Sequence, residues 1–198
     1  MERDQLSELH FITLIENLPS ILERGIISHV LAQGVPHESV AAPEIQDIRA
    51  DKIVPGGRPL HEYANLYFHA RNPMMAKRQE RHAELCVVRV STDVLDLPGV
   101  VITSQNASST YAAFRPSPDG LAIVDYELVF ARDWRDPDQI AYWRKKSIKC
   151  AEVLVPDRIP PEYITGAYCS GATGHDGVQA ICELTVTVDP DLFLQEGD

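Results

Sequence analysis

Short apolar runs rich in β-branched and aromatic residues, separated by turns and not by regular helical crossovers, set the main limit on how this chain folds. The runs are 9–14, 65–69, 84–90, 99–103, 151–155 and 180–188. Their scatter disfavours a doubly wound parallel sheet and predicts an α+β fold, with a mixed, mostly antiparallel sheet flanked by short helices. Helical signals are brief. Asn17 is placed to cap a helix that carries Pro19 in its first turn and ends at Gly25. A second short helix is predicted over 44–52 behind Pro43, with a loop over 32–43 and a sharp turn over 54–59. Residues 71–82 read as a loop entering a polar helix.

With 198 residues, 44% of them hydrophobic, the chain has enough apolar material for one core, so 1–198 is read as a single domain. Its formal charge of -11 argues against general nucleic-acid coating, because phosphate neutralisation needs Lys and Arg in excess. The charge is uneven. All 18 basic residues precede residue 159, whereas 159–198 holds 7 acidic residues and no Lys or Arg; this tail is expected to finish the sheet. Cys86, Cys150, Cys169 and Cys182 lack zinc-site spacing and disulfide-scaffold density, and read as buried free thiols, three of them (Cys86, Cys150, Cys182) within apolar runs. There is no run of about 20 apolar residues and no signal-peptide layout. The expectation is a soluble, cytoplasmic monomer without a metal.

Glu152 carries the strongest chemical signal, because it interrupts an apolar strand and shares a face with Cys150 and Leu154. If both faces are covered, an unpaired carboxylate there costs several kcal/mol. A solvated face explains it equally well from sequence alone. The basic run 144–149 just before it reads as a solvated helix end. Arg49, on the predicted 44–52 helix, is by itself an ordinary surface or ion-pair residue. The block 60–75 packs His61, Tyr63, Tyr67, Phe68, His69 and Arg71 together; an aromatic core strand accounts for the Tyr and Phe residues, but poorly for the His residues and Arg71.

Four elements together, 10–18, 45–49, 60–74 and 151–155, resemble in order and approximate spacing the DarT family of DNA ADP-ribosyltransferase toxins. The likeness covers about 9–156, and the block running from Leu60 through Tyr67, Arg71 and Met74 is its most specific part. It implies an ADP-ribosyltransferase fold, whose split sheet grips NAD⁺ without a Rossmann turn; the chain indeed lacks Gly-x-Gly-x-x-Gly. By position, Glu152 and Arg49 match the family's catalytic pair. His10, Thr13 and Asn17, with Arg49 and Tyr67, match its NAD-binding part, while Arg71, Met74, Lys77 and Arg78 lie where nucleic acid would be met. The family typically reads aromatic-His-x-Thr, but here His10 lies three residues before Thr13. On a regular strand the two point to opposite faces, so either a bulge returns His10 to the cleft or Phe11 takes the His place.

The resemblance further implies NAD as a consumed co-substrate, single-stranded DNA as acceptor, thymine or guanine as target, and room for a macrodomain-type antitoxin as partner. Cleaving the nicotinamide–ribose bond builds positive charge on the ribose, which a carboxylate such as Glu152 can stabilise. Arg49 offers a fixed fork of donors for a diphosphate or the acceptor base. RNA as acceptor, NAD glycohydrolysis and an inactive nucleotide- or protein-binding module stand as alternatives.

Overall fold

Leu9 packs into one apolar cluster while Ile12 and Leu14 pack into another, so the first strand, β1 (Leu9–Leu14), is covered on both faces and lies inside the sheet. The computed structural model describes residues 1–195. After β1 come α1 (Leu18–Arg24), β2 (Ile26–Ile27), α2 (His29–Ala32), α3 (Pro43–Ala50), β3 (Tyr63–Tyr67), α4 (Pro73–Ala76) and β4 (Leu85–Val90). Then follow β5 (Val101–Thr103), β6 (Phe114–Pro116), α5 (Tyr126–Phe130), α6 (Gln139–Ile148), β7 (Glu152–Pro156), β8 (Arg158–Ile159), β9 (Ile164–Cys169), α7 (Ala172–Gln179) and β10 (Val186–Val188).

Eight strands form one sheet in the order β10-β9-β4-β1-β3-β7-β5-β6, with β2 and β8 paired separately. Within the eight-stranded sheet only β9 and β10 run parallel; the other neighbours are antiparallel. The fold is therefore α+β with a mostly antiparallel mixed sheet. The main core fills one face, from Leu18 and Ile26 through Leu66, Val88, Val153 and Ile159. Smaller clusters around Leu85, Val87 and Phe193, and around Leu60 and Leu154, cover the other.

Several expectations are corrected. Asn17 precedes α1 but makes no side-chain cap bond, because its amide is engaged elsewhere. The strand expected over 65–69 is β3, two residues earlier. The polar helix expected within 71–82 is broken into α4 and a short 3₁₀ turn, with Arg81 off helical geometry. The strand expected over 180–188 shrinks to β10. Ahead of the 180–188 segment lies α7, whose Gly174 lets the helix approach β9: a Cβ there would stand 3.1 Å from Cys169 Cβ. Lys149 is no solvated helix end; it is 1% exposed, and its ammonium donates to the Val129 and Ala131 carbonyls. Cys86, Cys150 and Cys169 are buried thiols, while Cys182 is only half-buried.

Segment 159–195 supplies β9 and β10 at one sheet edge; the last three residues of the predicted tail, 196–198, lie outside the described residues. Among the described residues no helix is long and apolar enough to cross a membrane.

Gly25 fixes how α1 turns into β2. Its φ of 85° lies in the left-handed region, and a Cβ would stand 2.1 Å from the Ile159 carbonyl oxygen. Gly25→Ala is therefore expected to destabilise the fold by more than about 1 kcal/mol in urea unfolding.

Candidate active site

The sheet comes apart between β1 and β3, which pair at the single position His10↔Tyr67, while β1 stays in continuous register with β4 along its whole length. Beyond that pair the strands diverge, and a cleft of about 440 Å³ opens, lined by Phe11, Ile12 and Thr13 on one side and by Asn65 and Tyr67 on the other. That volume lies within the range of small-ligand pockets. Helix α3 forms a wall, because Ala42, Ile45, Gln46 and Arg49 fall at helical spacing and all face the opening.

Glu152 does not itself line the cleft: it lies behind the lining residue Arg49, directly across from Tyr67 in the β3–β7 register. It is 0% exposed, so the solvated-face reading fails. Arg49 Nη1 donates to both carboxylate oxygens at 3.1 Å. The Ala107 amide donates to Oε1 at 2.8 Å, leaving Oε2 with the guanidinium as its one partner. The strand start is fixed behind it: Glu152 N donates to Thr103 Oγ1 at 2.9 Å, and that hydroxyl donates to the Gln105 carbonyl at 2.7 Å. Burial, and next the Glu152 carboxylate, push the Tyr67 phenol well above its usual value, so it stays protonated.

The remaining walls are tied down by polar contacts. Asn17 Nδ2 donates to Thr13 Oγ1 at 3.1 Å and to the Glu38 carbonyl at 2.9 Å, and its Oδ1 accepts from Glu38 N. Arg78 Nε donates to the Val40 carbonyl, and Arg81 pairs with Glu38 and Glu84. These groups hold the 33–42 loop beside the opening. His29 and His61 stack at 4.1 Å next to α3, His61 bonding Gln46. Burial first, and then neighbouring His and Arg49 charges, lower the pKa of both imidazoles, favouring their neutral forms.

Of the residues expected to meet NAD, Thr13, Asn17, Arg49 and Tyr67 line the cleft, with Glu152 bonded to Arg49. His10 does not. No bulge interrupts β1, so Phe11 shares the face of Thr13 and lines the opening with it, while His10 lies on the other face beside its pair Tyr67 and is not part of the lining. His10 instead sits in a buried network in which it bonds Glu8 (3.1 Å) and accepts from Ala70 N, while Glu8 also holds Arg89 and Tyr168. Burial raises the Glu8 pKa, but these hydrogen bonds outweigh it and bring the carboxyl down to about 2.

The expected nucleic-acid set divides. Met74 and Lys77 line the cleft; Arg71 is spent on Asp191 and the Arg132 carbonyl, and Arg78 on the loop. Arg81 is doubly paired and Lys149 is buried, so the basic residues that reach the opening are Arg49, Lys77 and Lys146. The sequence reading missed Gln46, Asn65, His29 and the 106–109 loop; of these only Gln46 left a sequence signal, its helical spacing from Arg49. Among the described residues no group of three or more His, Cys, Asp or Glu is placed to hold a metal ion.

A family profile described as ssDNA thymidine ADP-ribosyltransferase, DarT, matches residues 10–194. The chain is 33% identical over 174 residues to a DNA ADP-ribosyl transferase–DNA ADP-ribosyl glycohydrolase fusion protein of Thermosipho africanus, covering 82% of this chain and 42% of the fusion. It superposes on the solved Thermosipho africanus DarTG in complex with ADP-ribose with a TM-score of 0.82 at 29% identity, over 96% of this chain and 52% of that one. The chain thus spans about half the length of these two relatives. It also shares the fold of Thermus sp. 2.9 DarT at 22% identity. The complex of that protein with ADP-ribosylated ssDNA matches with a TM-score of 0.78 over 95% of this chain and 96% of that one, and its complex with NAD⁺ with 0.75 over 94% and 96%.

Two outcomes follow from the site's electrostatics. Arg49→Ala strands a buried carboxylate and is expected to cost about 3–5 kcal/mol of unfolding free energy, read by chemical denaturation. The His69 ring is pushed down to about 3, by burial first and then by Lys149 and His10, so the unfolded chain binds its proton first as pH falls below 6.5. Stability should therefore drop on acidification from pH 6.5 towards roughly 5. His69→Asn should flatten that slope in melting temperatures; an unchanged slope would assign it to His29, His61 or other groups.

Proposed function

The chain belongs to the DarT family of single-stranded-DNA thymidine ADP-ribosyltransferases, and on that premise we propose that it transfers ADP-ribose from NAD⁺ to thymine bases of single-stranded DNA. The observation that carries the reading is the Arg49–Glu152 pair, a carboxylate without solvent exposure held against a guanidinium that lines a cleft of about 440 Å³. The donor set suits NAD⁺: Arg49, Lys77 and Lys146 supply positive charge at the opening, and Oε2 of Glu152, directly behind Arg49, has capacity to accept a further hydrogen bond. NAD⁺ supplies an activated glycosidic bond whose cleavage releases nicotinamide.

Glu152 holds the ribose hydroxyls and stabilises the positive charge that develops on the sugar, its carboxylate fixed by Ala107 N and Arg49. Arg49 keeps that carboxylate oriented and offers its remaining N–H groups to a phosphate or to the oxygen of the acceptor base. Phe11 and Tyr67 give the opening apolar and aromatic faces. A single strand suits the geometry because a base must leave the stack to enter a pocket.

The Thermosipho fusion joins a transferase to a glycohydrolase in one protein. It supports a toxin role for this chain, countered by a macrodomain-type partner that removes the modification.

Incubation with NAD⁺ and a thymine-containing oligonucleotide, read by mass spectrometry, should add one ADP-ribose to the DNA. Glu152→Ala should lose at least about 100-fold in rate while keeping its circular-dichroism spectrum. Labelling of RNA alone, or release of nicotinamide without DNA labelling, would replace this reading with one of those activities.

A further inference from the structure

Four side-chain amides line the cleft, and three of them already have partners in the protein. Asn17 bonds Thr13 and the Glu38 backbone, Gln46 bonds His61, and the Asn106 oxygen accepts from Ser108 N and Oγ. Asn65 differs: among the described residues its amide makes no hydrogen bond, although the residue is half-buried in the middle of β3. Its neighbours offer none. Ala64 and Leu66 turn into the main core, and Leu154, paired with Asn65 on β7, is apolar and 0% exposed. On the other side the ladder has opened. Continuing the His10↔Tyr67 register would set Ile12 across from Asn65, but the strands do not pair there and both residues line the cleft.

An amide carries one acceptor oxygen and two N–H donors, and leaving them unmatched away from bulk water is unfavourable. The cleft is the direction from which partners can come. Asn65 also stands close to the chemistry: it shares a face with Tyr67, which is paired with Glu152, so it is the diagonal neighbour of the carboxylate across the β3–β7 ladder. Strand geometry puts such a diagonal at roughly 7–8 Å.

We infer that Asn65 recognises the nicotinamide carboxamide of NAD⁺, its Oδ1 accepting from the carboxamide NH₂ and its Nδ2 donating to the carboxamide oxygen. Two planar amides match edge to edge, which allows two parallel hydrogen bonds. The nicotinamide ring is attached directly to the ribose assigned to Glu152, so its carboxamide belongs one side chain along the same face. Adenine presents a similar edge but lies beyond the diphosphate, and thymine, as the incoming group, meets the sugar on the side that the ring does not occupy. The assignment rests on the transferase reading and adds to it the group that recognises the leaving half of the donor.

The test compares NAD⁺ with its 3-acetylpyridine analogue, in which a methyl replaces the carboxamide NH₂, as donors for a thymine-containing oligonucleotide. Asn65→Ala should lower kcat/KM for NAD⁺ about tenfold, mostly through KM, and that for the analogue only about two- to threefold. The difference in leaving-group reactivity cancels, because each donor is compared with itself in the two proteins. Asn65→Thr, which suits a strand, should behave like Asn65→Ala, and melting temperatures verify that both variants fold. Equal losses with the two donors overturn the inference while leaving the transferase reading in place. So does a selective loss of preference for NAD⁺ over nicotinamide hypoxanthine dinucleotide, which would move Asn65 to the adenine end. If the wild type consumes no NAD⁺, both readings fall together.

Discussion

A carboxylate cut off from water sits at the centre of this protein, and a single guanidinium makes its burial tolerable. Desolvating Glu152 costs several kcal/mol, and the bonds from Arg49 and the Ala107 amide recover most of that. Because Arg49 comes from α3 and Ala107 from the loop after β5, the pair locks three separate parts of the chain around one point. A buried ion pair is a poor way to gain stability, since apolar residues of similar volume do as well. Its presence in the wall of a cleft, which Arg49 lines, is better explained by chemistry than by folding.

The cleft exists because the sheet is nearly severed. β1 follows β4 for its whole length, yet touches β3 at one pair, so the two halves of the sheet splay and expose side chains that an intact ladder would bury. The junction is stiffened from behind by the His10–Glu8 network with Arg89 and Tyr168, and the opening is bordered by a loop tied to Asn17, Arg78 and Arg81. Polar residues that the family resemblance pointed to as ligand contacts thus include several, His10, Arg71 and Arg78 among them, whose observed partners are protein groups.

Much of the fold was legible in short-range pattern. β1 is found at its predicted bounds, Gly25 ends α1 with a positive φ, and α3 begins at the proline expected to start it. These features depend on local backbone preferences, which a sequence displays directly. In the 71–82 segment the helix breaks into α4 and a 3₁₀ turn, and of the strand expected over 180–188 only the last three residues pair, as β10 against β9. Lys149 shows the same limit, since only the positions of two distant carbonyls make burial of an ammonium acceptable.

The sequence by itself determined the α+β class, the position of an odd carboxylate in an apolar strand, and the absence of a Rossmann turn. It could not decide whether that carboxylate faced water or a guanidinium. Residues 49 and 152 are far apart along the chain, and their meeting depends on strand order and on where the sheet splits, which no local pattern encodes. Nor could it decide between His10 and Phe11. An unbroken β1–β4 register puts Phe11, not His10, on the face of Thr13, because in a strand the face of every side chain is fixed by the pairing of its neighbours.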